Sequence, residues 1–241
     1  MPVSSPAKRQ DNLILSALAA EERALLASEL ERVPLKFKQV VQEPDEPLRH
    51  LWFPRSGVLS MTTQMDDGAI VEVATIGREG MVGVSTVLGA GQLSQMTFAQ
   101  VPGEADRLPV QAFVRSLPQL PGLHATLLRY TGTLVTQISQ GSACNRLHPI
   151  EERCARWLLM THDRVDGDQF PLTHEFLAQM LGVTRPSVTI AAGILQKAGL
   201  IRYVRGVVDI LDRPRLEEAA CECYGVIVRE FQRLVEPGRD G

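Results

Sequence analysis

Apolar residues recur at near-helical intervals between Asn12 and Arg32, where Leu15, Leu18, Leu25, Leu26 and Leu30 stand among Glu and Arg. This spacing predicts one or two helices that end before Pro34. The period then changes. From Pro34 to Val110 the chain runs in short Val-, Phe-, Thr- and Ile-rich stretches, punctuated by Pro54, Gly57, Asp66-Asp67-Gly68, Gly77, Gly80, Gly83, Gly89, Gly91 and Pro102-Gly103. Such runs predict an antiparallel β-domain. The clearest hairpin joins Gly57–Met65 to Ala69–Ile76 through Asp67-Gly68, a pair suited to the positive φ angles of a tight turn.

A helical period returns from Leu120 to about Asn145, with Leu123, Leu127, Tyr130, Leu134 and Ile138 three or four residues apart. A helix packed on its own β-domain would use these positions too. Thr, Gln and Ser on the opposite positions favour a dimer seam instead. Pro149 breaks the chain after Leu147-His148, and Ile150–Val165 forms a second amphipathic helix that buries Trp157, Leu158 and Met160. The boundary between two domains falls near 146–149. They are an N-terminal unit over 12–146, with its dimerisation helix at about 118–146, and a C-terminal unit over 147–241.

The stretch Leu172–Ile201 divides into two helices and a tight turn. Thr173 caps the first helix, whose Leu177 and Leu181 face inward, with the small Ala178 where a second helix crosses. Gly182 supplies a left-handed turn and Val183 plugs the core beneath it. Thr184 caps the second helix, in which Pro186 is tolerated because first-turn amides lack an intrahelical acceptor. Val188, Ala191, Ile194 and Leu195 point inward, leaving Arg185, Ser187 and Thr189 outside. An Arg and hydroxyls at a helix start suit a major groove, where Arg pairs with guanine and the amides attract phosphate. Leu200–Ile210 then reads as a two-stranded hairpin around Arg205-Gly206, a wing that brings Arg202 and Arg205 to the DNA backbone.

These residues, above all the motif from Leu177-Ala178 through Gly182-Val183 and Arg185 to Val188, resemble the Crp/Fnr family of bacterial transcription regulators, as does the order of segments from 12 to 212. The resemblance implies an α+β chain: an N-terminal antiparallel β-roll of cyclic-nucleotide-binding type with flanking helices, a long dimerisation helix and a C-terminal winged helix-turn-helix. It implies a homodimer on an inverted repeat of double-stranded DNA, with RNA polymerase as a further partner. Gly77-Arg-Glu-Gly80-Met-Val-Gly83 is similar to the turn entering the family's effector pocket, which here would hold Gly83, Val84, Ser85, Thr86 and Thr97. Two departures matter. No Arg or Lys occurs from Glu79 to Asp106, so the cation that a cyclic phosphate needs is missing and cyclic AMP is not the expected effector. Pro186 and Ile190 replace a Glu and an Arg usual in the recognition helix, so the family's half-site preference does not carry over.

Composition adds exclusions. The net charge of −3 does not advertise a nucleic-acid binder, although a local basic surface can sit on an acidic chain. No stretch approaches a membrane span, and Met1–Asp11 reads as a polar tail with no signal-peptide core, so a cytoplasmic location is expected. Cys144, Cys154, Cys221 and Cys223 show no metal spacing and read as reduced thiols, Cys221 and Cys223 within a helix-like run. His50, His124, His148, His162 and His174 read as structural or surface residues, with no metal and no cofactor expected. No catalytic constellation, phosphate loop or paired carboxylates point to an enzyme. Two further functions stay open: gating by another small molecule, and an interaction module that has lost DNA contact.

Overall fold

The computed structural model describes residues 11–235; positions 1–10 of the expected N-terminal tail and residues 236–241 of the C-terminal unit lie outside it. Asn12 organises the start. Its side-chain oxygen accepts from the amides of Ile14 (3.0 Å) and Leu15 (3.2 Å), capping α1 (Leu13–Ser16). Its amide nitrogen donates to the carbonyls of Pro54 (3.0 Å) and Gly80 (2.8 Å), pinning the helix to the β-domain. α2 (Ala20–Ala27) ends sooner than its apolar spacing suggests, because residues from Glu31 onward join a sheet.

Seven antiparallel strands follow: β1 (Glu31–Leu35), β2 (Val40–Gln42), β3 (His50–Pro54), β4 (Val58–Gln64), β5 (Ile70–Ile76), β6 (Met96–Val101) and β7 (Gly103–Pro109). One sheet has the order β1-β7-β3 and the other β2-β6-β4-β5. Pro34 is tolerated in β1 because that strand is an edge, paired only to β7. β4 and β5 form the expected hairpin, with Gly68 at φ 84° in its turn. The one-turn α3 (Val84–Val87) interrupts the strands between β5 and β6.

After α4 (Val110–Ser116), the long α5 (Pro121–Leu147) lies along the roll. Its own N-cap, Leu120, offers no side-chain acceptor. Glu22 of α2 takes over, accepting from the amides of Gly122 (2.7 Å) and Leu123 (2.9 Å), so a carboxylate sits at the positive end of the helix. Leu123, Leu127, Tyr130 and Leu134, expected at a dimer seam, are buried in the chain's own core, and the half-buried Ile138 packs against it. The tyrosine hydroxyl donates to the carbonyl of Met81 (3.1 Å), and Gly80 lets the ring approach, since a Cβ there would stand 2.5 Å from the hydroxyl. The opposite, mainly polar face also carries Leu128 and Val135, both exposed.

The C-terminal unit comprises α6 (Ile150–His162), β8 (Gln169–Pro171), α7 (His174–Leu181), α8 (Arg185–Lys197), β9 (Ile201–Val204), β10 (Val207–Ile210), α9 (Arg213–Glu218) and α10 (Cys223–Val235). α10 runs back along α5, and Leu234 joins the core of the N-terminal unit. Cys221 sits in the turn between α9 and α10 rather than within a helix.

The two units share an interior. Phe98 of β6 packs edge-on against Phe176 of α7 at 6.2 Å. Arg164 and Glu79 form an almost buried ion pair at 2.7 Å. At the same junction Glu72 of β5 is half-buried, and its Oε1 accepts from Thr75 Oγ1 (3.0 Å) and from Trp157 Nε1 of α6 (2.8 Å). Ser60 Oγ touches both Glu72 Oε2 and Gln100 Oε1, while Gln100 Nε2 donates to Thr161 Oγ1 of α6 (3.2 Å). A single serine proton cannot serve two acceptor oxygens. Either a neutral Glu72 donates to Ser60, which donates to Gln100, or the Gln100 amide is turned to donate to Ser60 and accept from Thr161. Burial pushes the Glu72 carboxyl up, toward the first arrangement, against the three hydrogen bonds.

Because this carboxyl titrates higher in the folded than in the unfolded chain, the stability it confers is complete below the unfolded value, about 4.3, and is lost as pH rises through the folded pKa. Glu72→Gln should flatten that loss. Urea midpoints measured across pH test it, and identical pH profiles for the two proteins would show that Glu72 is ionised in the fold.

Candidate nucleic-acid interface

Thr173 caps α7, its hydroxyl accepting from Phe176 N (3.1 Å). The helix closes on Gly182, whose φ of 62° is costly for a residue with a Cβ; a methyl there would also approach Val71 of β5 to 3.2 Å. Val183 N then bonds Ala178 O (3.0 Å), and Thr184 opens α8, accepting from Ser187 N (3.5 Å) while its hydroxyl meets that of Ser187 (2.9 Å). Pro186 lies in the first turn, where no intrahelical amide is required.

Val188, Ala191, Ala192 and Leu195 form the buried side of α8. Ile194, expected there, is 48% exposed, and Ala192 takes its place. The outer side presents Arg185, Pro186, Thr189, Ile190 and Gly193, a continuous strip at helical spacing. Ile190, 63% exposed, belongs to this strip, which the period counted from Arg185 could have revealed. Arg185 meets only Glu175 of α7, at 4.0 Å and in solvent. Thr189 donates to Arg185 O (3.1 Å) and meets His174 Nδ1 (3.0 Å), so its hydroxyl is spoken for and its methyl is left as the outward group. His174 is held over Tyr203 of the wing, ring centroids 4.3 Å apart. Burial, then the Arg185 charge, lowers its pKa and favours the neutral imidazole.

β9 and β10 pair as expected, with β8 as a third strand, in the order β8-β10-β9. Arg205 (φ 50°) and Gly206 (φ 79°) make the two-residue turn with two positive φ angles that matches strand twist. Arg205 is exposed at this tip, and no hydrogen bond or ion pair engages its guanidinium among the described residues. Arg202 instead pairs with Asp209 directly across the hairpin, a neutralisation that strand register could have disclosed.

Residues 152–219 match the Crp-like helix-turn-helix domain. The chain therefore carries a DNA-binding domain of the Crp type. The remainder is related by fold. The chain is similar to a Crp/Fnr-family regulator from Eubacterium rectale at 19% identity, over 86% of this chain and 96% of that one, with a TM-score of 0.67. FixK2 of Bradyrhizobium japonicum matches at 14% identity, 80% and 98% coverage and a TM-score of 0.68. CLP of Xanthomonas campestris, described as a c-di-GMP-responsive global regulator, matches at 16%, 80% and 99%, with a TM-score of 0.60. No curated protein sequence matches the chain. The α+β class and the Crp/Fnr resemblance read from the sequence are borne out, the latter at the level of the domain for residues 152–219 and of the fold beyond them. No helix among the described residues is long and apolar enough to cross a membrane.

Gly83, Val84, Ser85 and Thr86, expected at an effector pocket with Thr97, share one turn at the start of α3, and Thr97 lies on β6. Val84, Ser85 and Thr97 are buried, and a Cβ on Gly83 would strike Leu51 at 2.4 Å. A cavity of about 270 Å³ lies where the Crp-like domain meets the roll, bounded by β5, α5, α6 and the end of α7. His162, read as structural, is so: it bridges Asp168 (2.8 Å) and Arg213 (2.7 Å).

The geometry separates folding from reading. Thr184→Ala should lower stability by about 1 kcal/mol through the lost cap, whereas Arg185→Ala should stay within about 0.5 kcal/mol because its ion pair is solvated. Chemical denaturation of the two variants checks this, and an equal loss in both would give Arg185 a structural role.

Proposed function

We propose that the protein is a sequence-specific, DNA-binding transcription regulator that acts as a homodimer on an inverted repeat. The observation that carries this reading is the exposed strip of α8, headed by Arg185, beside a wing whose tip offers an uncommitted Arg205. Arg185 reads a base edge, guanine by preference, while Ile190 and the Thr189 methyl suit the methyl group of thymine. Arg205 serves the phosphate backbone. Arg202, Thr173, Thr184 and Ser187 act as supports, each engaged within the protein. The functional boundary is the bend at His148-Pro149, residues 147–241 forming the reading unit. RNA polymerase is the expected further partner and the cytoplasm the expected location.

The dimer is assigned to the outward face of α5. Ala125, Leu128, Gly132, Val135, Ser139 and Ser142 are exposed and alternate by three and four residues, the period of a two-helix seam. A Cβ added at Gly132 would meet no neighbour, leaving room for a second helix.

One observation favours gating by a small molecule other than cyclic AMP. The junction cavity is lined by Gln137 and Arg156, whose Oε1 and Nε are buried without partners, so an acceptor and a donor await a polar ligand.

Incubating the ligand-free protein with randomised duplexes of about 30 base pairs should enrich an inverted repeat with half-sites about one turn apart. On the selected site, Arg185→Ala should cost about 1–3 kcal/mol, while Arg205→Asn, which keeps a favoured turn pair, should weaken all sequences alike and lower the salt slope by about one. Wild-type affinity in Arg185→Ala removes that residue from the readout. Failure to enrich any sequence, with the junction cavity also indifferent to ligands, leaves the interaction-module reading.

Val135→Glu should convert the dimer into folded monomers, whereas Leu127→Ala should cost about 2–5 kcal/mol of fold stability as a core cavity. Light scattering and denaturation read the two effects. A dimer that survives Val135→Glu places the seam elsewhere.

A further inference from the structure

Three thiols and an imidazole that stand far apart in sequence converge beside the bend between α5 and α6. Cys144 and His148 lie one turn apart at the C-terminal end of α5; Cys221 comes from the turn before α10 and Cys223 from its first residue. Their Sγ and ring-nitrogen atoms all lie within 4.8 Å of one another. Cys144 Sγ is 3.5 Å from Cys221 Sγ, and Cys223 Sγ is 3.4 Å from His148 Nδ1. The three cysteines are buried as a cluster of their own, apart from both main cores. No metal is expected from the sequence, where the four cysteines show no metal spacing. Only the return of α10 along α5 brings the pairs together.

We propose that Cys144, His148, Cys221 and Cys223 form a mononuclear Cys3His site for a thiophilic divalent cation, Zn²⁺ by preference. A tetrahedral ion with Zn–S near 2.3 Å and Zn–N near 2.0 Å holds its ligand atoms about 3.8 Å (S···S) and about 3.5 Å (S···N) apart. The Cys144–Cys221 and Cys223–His148 separations, 3.5 and 3.4 Å, are close to these values, and all four ligand atoms lie within 4.8 Å of one another. Four ligands of this type close the coordination sphere, which is the pattern of a structural rather than a catalytic ion.

The surroundings fit an ion as well. His148 presents Nδ1 to the cluster while its Nε2 faces Glu222 Oε2 at 3.3 Å, the carboxylate–histidine arrangement that fixes a ligand's tautomer. Gln140 Nε2 donates to Cys223 Sγ (3.2 Å), a bond that steadies a thiolate. Three thiolates and one Zn²⁺ carry a net charge of −1, and Arg153 and Arg156 of α6 lie near enough to act on the cluster electrostatically. The C-terminal end of α5 favours a cation in the same place. Cys154, the fourth cysteine, is a contrast: it is buried among apolar residues of the Crp-like domain.

The ligand pairs bracket the Crp-like helix-turn-helix segment, residues 152–219. Cys144 and His148 precede it, Cys221 and Cys223 follow it, and one ion would fasten both of its ends at the bend. Arg153 extends the connection, donating to Asn145 Oδ1 (3.0 Å) and to Leu181 O at the end of α7 (2.6 Å).

The full chain, purified under reducing conditions, should hold one equivalent of zinc by elemental analysis, released by a thiol-blocking reagent. After chelation, added Co²⁺ should give tetrahedral d–d bands and a thiolate-to-cobalt charge-transfer band. Cys221→Ser should lose the tight equivalent, and so should His148→Ala, whose side chain lies at the edge of the cluster and outside both main cores. His148→Cys should keep the equivalent and strengthen the charge-transfer band. Cys154→Ala should behave as wild type. Three results overturn the proposal: reduced wild type that takes up no metal, uptake unchanged in Cys221→Ser and His148→Ala, or acid-labile sulfide, which marks an iron–sulfur cluster instead. A Cys144–Cys221 disulfide whose reduction does not restore metal uptake counts with the first.

Discussion

Glu72 is a half-buried carboxyl group at the junction of the roll and the Crp-like domain, and the mutual placement of the two depends on how its two oxygens are satisfied. Its partners come from both sides: Ser60 and Thr75 from the roll, Trp157 from the first helix of the reading unit. A buried polar network is favourable only when every member is paired, and a half-satisfied one is worse than an apolar contact. The junction therefore has a narrow optimum. If α6 slides along β5, the indole loses its acceptor, Gln100 loses Thr161, and the hydrogen-bonded chain fails as a unit. The neighbouring Arg164–Glu79 pair, nearly free of solvent, imposes the same demand with full charges.

Against this fixed base, the reading surface is built from economical local devices. Two threonine caps, one left-handed glycine and a two-residue turn set the helices and wing without drawing on the outward side chains. Of the basic residues in that region, Arg202 is neutralised by Asp209 and Arg185 has only a solvated neighbour, while Arg205 has none among the described residues. The modest positive charge left over is consistent with a chain whose net charge is −3.

Local chemistry was legible in the sequence and long-range convergence was not. The caps at Thr173 and Thr184, the turn at Gly182 and the hairpins at Gly68 and Gly206 each depend on residues within a few positions, and each was readable. The expected seam of α5 turns toward the chain's own core. A strip of Leu, Leu, Tyr and Leu fits a partner helix and a β-roll equally well, and nothing in a helical period says which neighbour will cover it. The side read as polar from its Thr, Gln and Ser is interrupted by exposed Leu128 and Val135. Ile194 was misplaced for a related reason: small Ala192 fits the close crossing of α8 where a branched side chain would not. The capping of α5 by Glu22 and the gathering of Cys144, His148, Cys221 and Cys223 both join segments far apart in the chain. No local pattern announces them.

The antiparallel return of α10 along α5 makes the Crp-like helix-turn-helix segment, residues 152–219, an insertion within a helical hairpin, entered and left at nearly the same place. A body held by a single covalent connection can swivel about two or three axes. One held by two adjacent connections behaves more like a door, with its rotation restricted to the line through both attachments. A shift at the bend would then turn α7 and α8 about one line, giving a defined change of helix orientation rather than a looser tether.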